Sequence, residues 1–207
     1  MDIKFTTRGD IINTAVILAG GKSRRMGQDK LTLSIGGVTL LDSVVSKFSK
    51  VFENVYLSVS YEYMYPNVDA PRIVDVFRGV GPMAGLHSAL SSLNVEGVFL
   101  VAADLPFASP VAATFLTELC GNKDASVIKN PNGTFEPLFA YYKRSLLCKC
   151  ETALNSGDYK MTTLLPEGST RFVSPNELGI LWHENLITNI NCPEDYESIL
   201  DFRLATD

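Results

Sequence analysis

The stretch of sequence that decides the fold is TAVILAGGKSRRMGQDK, residues 14–30. It begins with a continuous apolar run over residues 14–19, which ends at two glycines. A short apolar run without polar alternation is typical of a strand that is buried on both faces in a parallel sheet. The glycines predict a turn where that strand leaves the core. We therefore expect a central strand followed by a glycine-rich loop.

Strands and helices alternate along the rest of the chain. The predicted strands after the first are 54–58, 73–74, 97–103, 125–128, 138–142 and 171–173, and the predicted helices are 40–48, 86–93, 110–119, 146–154 and one that begins at 193. Such alternation predicts an α/β fold, with a mostly parallel twisted sheet and helices on both faces, as in Rossmann-like proteins. No linker interrupts the 207 residues, so we expect one domain, with residues 1–13 as an N-terminal extension or an added edge strand.

Composition excludes several classes of function. The net charge is −5, which gives no general attraction to nucleic acid or to an anionic membrane. No apolar stretch approaches the roughly 20 residues that span a bilayer, and the N-terminus lacks the core of a signal peptide. The four cysteines and two histidines have no metal-site or disulfide spacing. These features predict a cytoplasmic protein.

The glycine-rich loop is the first candidate site. Four positive charges lie within nine residues of a chain that is otherwise net negative: Lys22, Arg24, Arg25 and Lys30. Glycines free the backbone to turn, and its N–H groups can then form a concave anion site, which suits a triphosphate. The loop is not a Walker A motif, because Val16 stands where that motif needs its first glycine. The alternative is a solvated basic turn.

A carboxylate at a strand end is the second candidate site. The apolar run 98–103 ends at Asp104, which is followed by Leu105 and Pro106. Mg²⁺ is commonly held by one or two carboxylates together with phosphate oxygens of a substrate, so one aspartate here could bridge protein and nucleotide. The alternative is that Asp104 bonds the local backbone in the turn before the helix at Ser109.

Five motifs in this order resemble those of the molybdenum cofactor guanylyltransferases. They are LAGGKSRRMGQDK at 18–30, GPMAGL at 81–86, DLPF at 104–107, EPLFA at 136–140 and NINCPED at 189–195. The first is shared with wider nucleotidyltransferases, whereas the full set is specific. The resemblance implies a fold like the nucleotide-diphospho-sugar transferases. It also implies Mg²⁺-dependent transfer of GMP from GTP to molybdopterin, a phosphate nucleophile that needs no strong general base.

The resemblance also implies roles for individual residues. The catalytic set would be Arg25, Lys30 and Asp104, with Asp104 as the ligand of Mg²⁺. The nucleotide would be held by Leu18, Ala19, Gly20, Gly21, Lys30, Asp75, Gly81, Gly85 and Asp104. Molybdopterin would lie near Lys160, Asn189 and Asn191.

Three departures from the family pattern leave this interpretation standing. Ala103 replaces a cysteine, Lys160 replaces an arginine with loss of its bidentate fork, and Cys192 replaces a threonine.

Other functions stay open at this point. A cytidylyltransferase that makes the cytosine form of the cofactor from CTP shares the loop and Asp104, although GPMAGL favours guanine. A non-catalytic nucleotide-binding protein on the same fold is the alternative from another class. A sugar-nucleotide or isoprenoid nucleotidyltransferase fits the NINCPED motif less well. The expected partners are GTP and molybdopterin, together with proteins that deliver molybdopterin or mature molybdoenzymes, and neither nucleic acid nor a membrane.

Overall fold

The computed structural model describes residues 14–20, 29–35, 37–190 and 195. Its strands are β1 (Thr14–Leu18), β2 (Ser34–Ile35), β3 (Val38–Thr39), β4 (Asn54–Val59), β5 (Arg72–Val74), β6 (Gly97–Ala102), β7 (Ala125–Lys129), β8 (Phe135–Lys143) and β9 (Thr170–Val173). Its α-helices are α1 (Leu40–Phe48), α2 (Pro82–Ser92), α3 (Pro110–Cys120), α4 (Leu147–Ser156) and α5 (Pro175–Leu178). Short 3₁₀ turns cover Lys30–Thr32, Arg144–Leu146, Met161–Leu164, Gly179–Leu181 and Glu184–Ile187.

Seven of these strands form one sheet in the order β5-β4-β1-β6-β8-β7-β9. β1 lies in the middle and runs parallel to both β4 and β6. The apolar run 15–17 is fully buried there, as expected for a central strand covered on both faces. The chain leaves β1 towards β4 and β5 and returns to β6 on the other side. This reversal places a topological switch point at the carboxyl end of β1.

β8 is the exception to the parallel arrangement, because it runs antiparallel to both β6 and β7. It forms a hairpin with β7 through the predicted turn 130–133, where the N–H of Gly133 donates to the carbonyl of Asn130 at 2.9 Å. The β7–β8 register shifts between Val127 and Lys129, and the buried Tyr142 hydroxyl donates to the carbonyl of Pro137 at 2.8 Å. The shift accommodates Pro137 inside a strand, since proline has no N–H for the ladder.

Helices cover both faces of the sheet, as predicted. The apolar residues of α1 and α3 pack on one face, and those of α2 and α4 pack on the other. Hydroxyl caps fix two of the helix starts: Thr39 accepts from the N–H of Asp42, and Ser109 accepts from the N–H of Ala112. The sequence predicted the cap at Ser109 and the bounds of α1.

The start of β8 and the hairpin of β2 and β3 differ from the prediction. β8 begins at Phe135 rather than at 138, because the register shift tolerates a proline that the alternating pattern did not allow for. The hairpin of β2 and β3 was not predicted, because each of these strands has only two residues, which is too few to show an alternating pattern. The predicted helix from 193, apart from Asp195, and the segment 1–13 lie outside the described residues, so a single domain over 1–207 stays a prediction. Within the described ranges, no helix has the length and apolar character to span a membrane.

Candidate active site

The carboxyl ends of β4, β1 and β6 meet at one edge of the sheet, next to that of β5. Backbone hydrogen bonds continue past the strands: the Ala19 N–H donates to the carbonyl of Ser58 at 2.9 Å, and the Ala103 N–H donates to that of Leu18 at 3.1 Å. The start of the glycine-rich loop is therefore held between β4 and the segment that leads to Asp104. The amide of Ala19 is already engaged, so this residue offers no free donor to a phosphate.

Lys30 and Asp104 meet at this edge. The Nζ atom of Lys30 lies 2.5 Å from Oδ2 of Asp104, and the two side chains are exposed by only 18% and 22%. Lys30 reaches this position because it opens a 3₁₀ turn that is capped by Asp29, whose carboxylate accepts from the N–H of Leu31. The structure thus brings together Lys30, which the resemblance assigns to the nucleotide, and Asp104, which it assigns to the metal.

The second oxygen of Asp104 is buried without a hydrogen-bond partner in the part of the chain that the structure describes. The side chain of Asp104 bonds Lys30, and the helix after it is capped by Ser109. The local-turn alternative for Asp104 therefore does not match the structure. A buried carboxylate oxygen without a partner fits a hard cation that also takes phosphate oxygens. The described ranges hold no group of three or more His, Cys, Asp and Glu side chains suited to a metal.

Ile190 ties the C-terminal part of the described chain to this pair. Its carbonyl accepts from the Nζ of Lys30 at 2.8 Å, and its N–H donates to the carbonyl of Asp104 at 3.0 Å. These bonds place the exposed Asn189 beside the pair, and its role towards molybdopterin stays a prediction. The partner Asn191 lies outside the described residues, as do Gly21, Arg25 and Cys192.

Asp75 follows β5 and is buried next to the loop. Its Oδ1 accepts a hydrogen bond from the Ser58 hydroxyl at 2.8 Å. Burial raises the pKa of Asp75 to about 6, against the lowering effect of that hydrogen bond. A β-carbon on Gly20 would stand 3.2 Å from Asp75 Oδ2 and 3.2 Å from the Ser60 hydroxyl, so a glycine allows this close approach.

The two glycines of GPMAGL have different surroundings. Gly85 is buried in α2, where a β-carbon would stand 2.3 Å from Ser58 Oγ and 2.5 Å from Leu18 Cδ2. Helix–sheet packing accounts for this glycine, and its contact with a nucleotide stays a prediction. Gly81 is different: it caps α2 at a φ of 96°, with no atom within 4 Å of an added β-carbon.

Lys160 lies apart from the pair. It is exposed, and it precedes the 3₁₀ turn Met161–Leu164, with its N–H donating to the Asp158 carboxylate at 3.1 Å. The carboxylate of Asp158 also accepts from Thr163. The role of Lys160 towards a second substrate stays a prediction.

Sequence reasoning missed several residues of the site. Ser58 and Ser60 contact Asp75 and Gly20 through their hydroxyls, and Ile190 contributes only backbone atoms. A backbone carbonyl leaves no signal in residue type, and serines in a strand resemble ordinary solvent-facing positions. The position of Ser58, opposite Leu18 at the end of β1, was the one available signal, and it requires the strand pairing to be known.

The profile described as "MobA-like NTP transferase domain" matches residues 15–171. A probable molybdenum cofactor guanylyltransferase of Carboxydothermus hydrogenoformans is 32% identical over 189 residues, covering 90% of this chain and 94% of that protein. A molybdenum cofactor guanylyltransferase of Campylobacter jejuni subsp. doylei is 33% identical over 183 residues, covering 88% and 92% of the two chains.

A solved structure from Archaeoglobus fulgidus shares the fold. It is titled molybdopterin-guanine dinucleotide biosynthesis protein A, and it superposes with a TM-score of 0.79 at 26% identity, covering 93% of this chain and 99% of that one. Family profile, relatives and structure thus agree over almost the whole described region. The chain belongs to the MobA-like NTP transferase family, with the molybdenum cofactor guanylyltransferases, and is a nucleotidyltransferase.

Proposed function

We propose that this nucleotidyltransferase moves GMP from GTP to molybdopterin and releases pyrophosphate. The observation that carries the proposal is the Lys30–Asp104 pair, with one carboxylate oxygen left without a partner at the carboxyl edge of the sheet. Relatives named as guanylyltransferases support GTP as the nucleotide and the molybdenum cofactor as the pathway. We place the reaction in the cytoplasm, as the sequence predicts.

Asp104 would hold Mg²⁺ through its partner-free oxygen. That oxygen is buried beside an ammonium group, and a single carboxylate suits an ion that also takes phosphate oxygens. When bound, Mg²⁺ supplies positive charge that neutralises the phosphates. The residues present therefore fit the ion. Because phosphate oxygens of the nucleotide would supply further ligands, no larger cluster of carboxylates is needed.

The reaction would be a substitution at the α-phosphorus of GTP. An oxygen of the terminal phosphate of molybdopterin forms the new bond to that phosphorus, and the bond to the bridging oxygen of pyrophosphate breaks. The attacking phosphate is already ionised at neutral pH, so no strong base is required. Lys30 and Arg25 would neutralise the triphosphate, and catalysis would come from positioning and charge.

The nucleotide would lie across the ends of β1, β4 and β5. Leu18 to Gly21 would border it, with Asp75 and Gly81 on the side of α2. Because Gly85 packs against Leu18 and Ser58, its contribution would be to keep α2 close to this surface. The charged end of the triphosphate would then point towards Lys30 and Asp104.

Molybdopterin would approach from the other side of the pair. Asn189 is exposed directly before Ile190, whose backbone bonds both Lys30 and Asp104. An acceptor phosphate near Asn189 and Asn191 would therefore be close to the reacting centre. Lys160 would add positive charge further out, in the manner of the arginine that it replaces.

Thermal unfolding with GTP, CTP, ATP and UTP, each with and without Mg²⁺, tests the nucleotide. Ligand at about a hundred times its dissociation constant adds roughly 2.7 kcal/mol, which raises the midpoint by several degrees for a chain of this size. We expect the largest shift with GTP and Mg²⁺. A larger shift with CTP would contradict the choice of guanine. Pyrophosphate release that requires both GTP and molybdopterin then tests the reaction itself.

A further inference from the structure

Tyr65 has an unusual backbone conformation for a bulky residue. Its φ is 51°, and it is the one residue other than glycine with a positive φ among those the structure describes. Side chains larger than glycine rarely adopt this left-handed region, and such residues are often found at functional sites. The conformation is held by two donors to the Tyr65 carbonyl: the Arg72 guanidinium, and the Val68 N–H at 3.1 Å. Arg72 also donates to the carbonyl of Met64 at 2.9 Å.

This conformation directs the Tyr65 hydroxyl to the residue beside Lys30. The hydroxyl donates to Oδ2 of Asp29 at 2.7 Å, and Oδ1 of the same carboxylate accepts from the N–H of Leu31 at 3.1 Å. Lys30 lies between Asp29 and Leu31 in the chain, so these two hydrogen bonds fix its backbone on both sides. From there its ammonium reaches Asp104 and the carbonyl of Ile190.

We propose that Tyr65 is a positioning residue for Lys30, acting through the carboxylate of Asp29. The proposal rests on the role that the proposed function gives to Lys30. The chain of contacts runs from Arg72 at the start of β5, through the backbone and hydroxyl of Tyr65, to Asp29 and the turn that carries Lys30. The segment between β4 and β5 would thereby set where the ammonium stands relative to the triphosphate.

The hydroxyl can act as a donor throughout the working pH range. Burial and the neighbouring Asp29 carboxylate hold the pKa of Tyr65 well above its usual value. The ring has a separate packing role, because it contacts the apolar core and lines a cavity of about 360 Å³ beside Asp29. A test must therefore remove the hydroxyl and keep the ring.

Tyr65→Phe is that change, and its matched control is Tyr63→Phe. Tyr63 is 75% exposed and stacks on Tyr61, away from Asp29. Pyrophosphate release with GTP, Mg²⁺ and molybdopterin gives kcat and KM for each variant. We expect Tyr65→Phe to lower kcat by roughly tenfold, with KM for GTP changed less than about twofold, since small misplacements of a positioned group chiefly affect the reacting state. The control should match the wild-type protein.

A double-mutant cycle separates positioning from a general structural effect. If Tyr65 acts through Lys30, adding Tyr65→Phe to Lys30→Ala should cost no further activity. Losses that multiply in the double variant would overturn the proposal. So would an unchanged kcat in Tyr65→Phe alone.

A crystal structure of Tyr65→Phe provides a readout that does not depend on activity. We expect the Asp29 carboxylate to rotate and the Nζ of Lys30 to move away from Asp104. An unchanged Lys30–Asp104 distance would contradict the inference. A wild-type protein that releases no pyrophosphate from GTP and molybdopterin would instead contradict the proposed function, and the crystal structure would still decide the role of Tyr65.

Discussion

The ammonium of Lys30 and the carboxylate of Asp104 form an ion pair although 74 positions separate them in the chain. Both residues also bond the backbone of Ile190: the Lys30 ammonium donates to its carbonyl, and the backbone carbonyl of Asp104 accepts from its N–H. The pair therefore joins the turn after the glycine-rich loop, the end of β6 and the start of the NINCPED motif. A nucleotide that binds here would meet opposite charges that are already held in position.

Asp104→Ala should abolish turnover and leave the fold intact. The change removes the partner-free oxygen proposed for Mg²⁺, and the Lys30 ammonium keeps a second acceptor, the carbonyl of Ile190. We expect at least a hundredfold loss of pyrophosphate release, with an unfolding midpoint within a few degrees of wild type. Asp69→Ala, an exposed aspartate away from the site, is the control. Near-normal turnover in Asp104→Ala would remove the metal assignment.

Lys30→Ala should lower kcat/KM for GTP by roughly a hundredfold. The variant loses positive charge where the triphosphate is expected, and comparable losses follow removal of one group that stabilises a transition state. Steady-state kinetics at several GTP concentrations measures it. Lys50→Ala, at an exposed position after α1, should behave as wild type. If both lysine variants kept full activity, Lys30 would have no catalytic role.

Gly85→Ala should destabilise the protein. A methyl group there would collide with Ser58 Oγ and Leu18 Cδ2, at 2.3 Å and 2.5 Å. Overpacking of this kind costs about 1–3 kcal/mol, which lowers the midpoint by several degrees in thermal unfolding. Gly168→Ala is the matched control, because no atom lies within 4 Å of its added methyl. Equal stability of the two variants would show that α2 shifts freely away from β1 and β4.

Asp75→Asn should become more stable than wild type as the pH rises from about 4 to about 6. Burial raises the pKa of Asp75 from 3.8 to about 6, so in this window the folded wild-type protein keeps a proton that the unfolded chain releases. Wild-type stability therefore falls across the window, whereas an asparagine has no charge to bury. The difference should reach roughly 3 kcal/mol above pH 6 and stay constant there.

Urea unfolding across this pH range measures the difference. Ser58→Ala gives a second check, because the Ser58 hydroxyl stabilises the ionised carboxylate. Without it, the pKa of Asp75 should rise further, and the upper end of the window should move to higher pH. A difference between Asp75→Asn and wild type that does not vary with pH would contradict this account.

Much of the fold could be predicted from local pattern. The apolar run 14–19, the amphipathic spacing of α1 and the Ser109 cap each rest on interactions within a few residues, and all three are confirmed. β8 was predicted too short because its proline is accommodated by a register shift against β7, a tertiary effect. The β2–β3 hairpin is too short for an alternation of apolar and polar residues to be visible in the sequence.

The site was predicted less completely than the fold. The sequence predicted which residue types would hold a nucleotide, and the structure brings Lys30, Asp104 and Asn189 to one edge. The sequence could not predict that Lys30 would pair with Asp104. That contact depends on the relative positions of β6 and the 3₁₀ turn that begins at Lys30. Tyr65 had no signal at all, because its contact with Asp29 arises from an uncommon backbone angle.

The reversed direction of β8 has a consequence for how this enzyme can vary. Because β8 is antiparallel to its neighbours, the tight connection at 130–134 emerges at the same edge of the sheet as Leu18 and Asp104. That connection is held by its own hydrogen bonds, from Asn130 to Thr134 and Glu136. Insertions there would change the surface at this edge of the sheet, while the strands on either side keep their pairing. Such changes would leave the pairing of β1, β4 and β6 as it is.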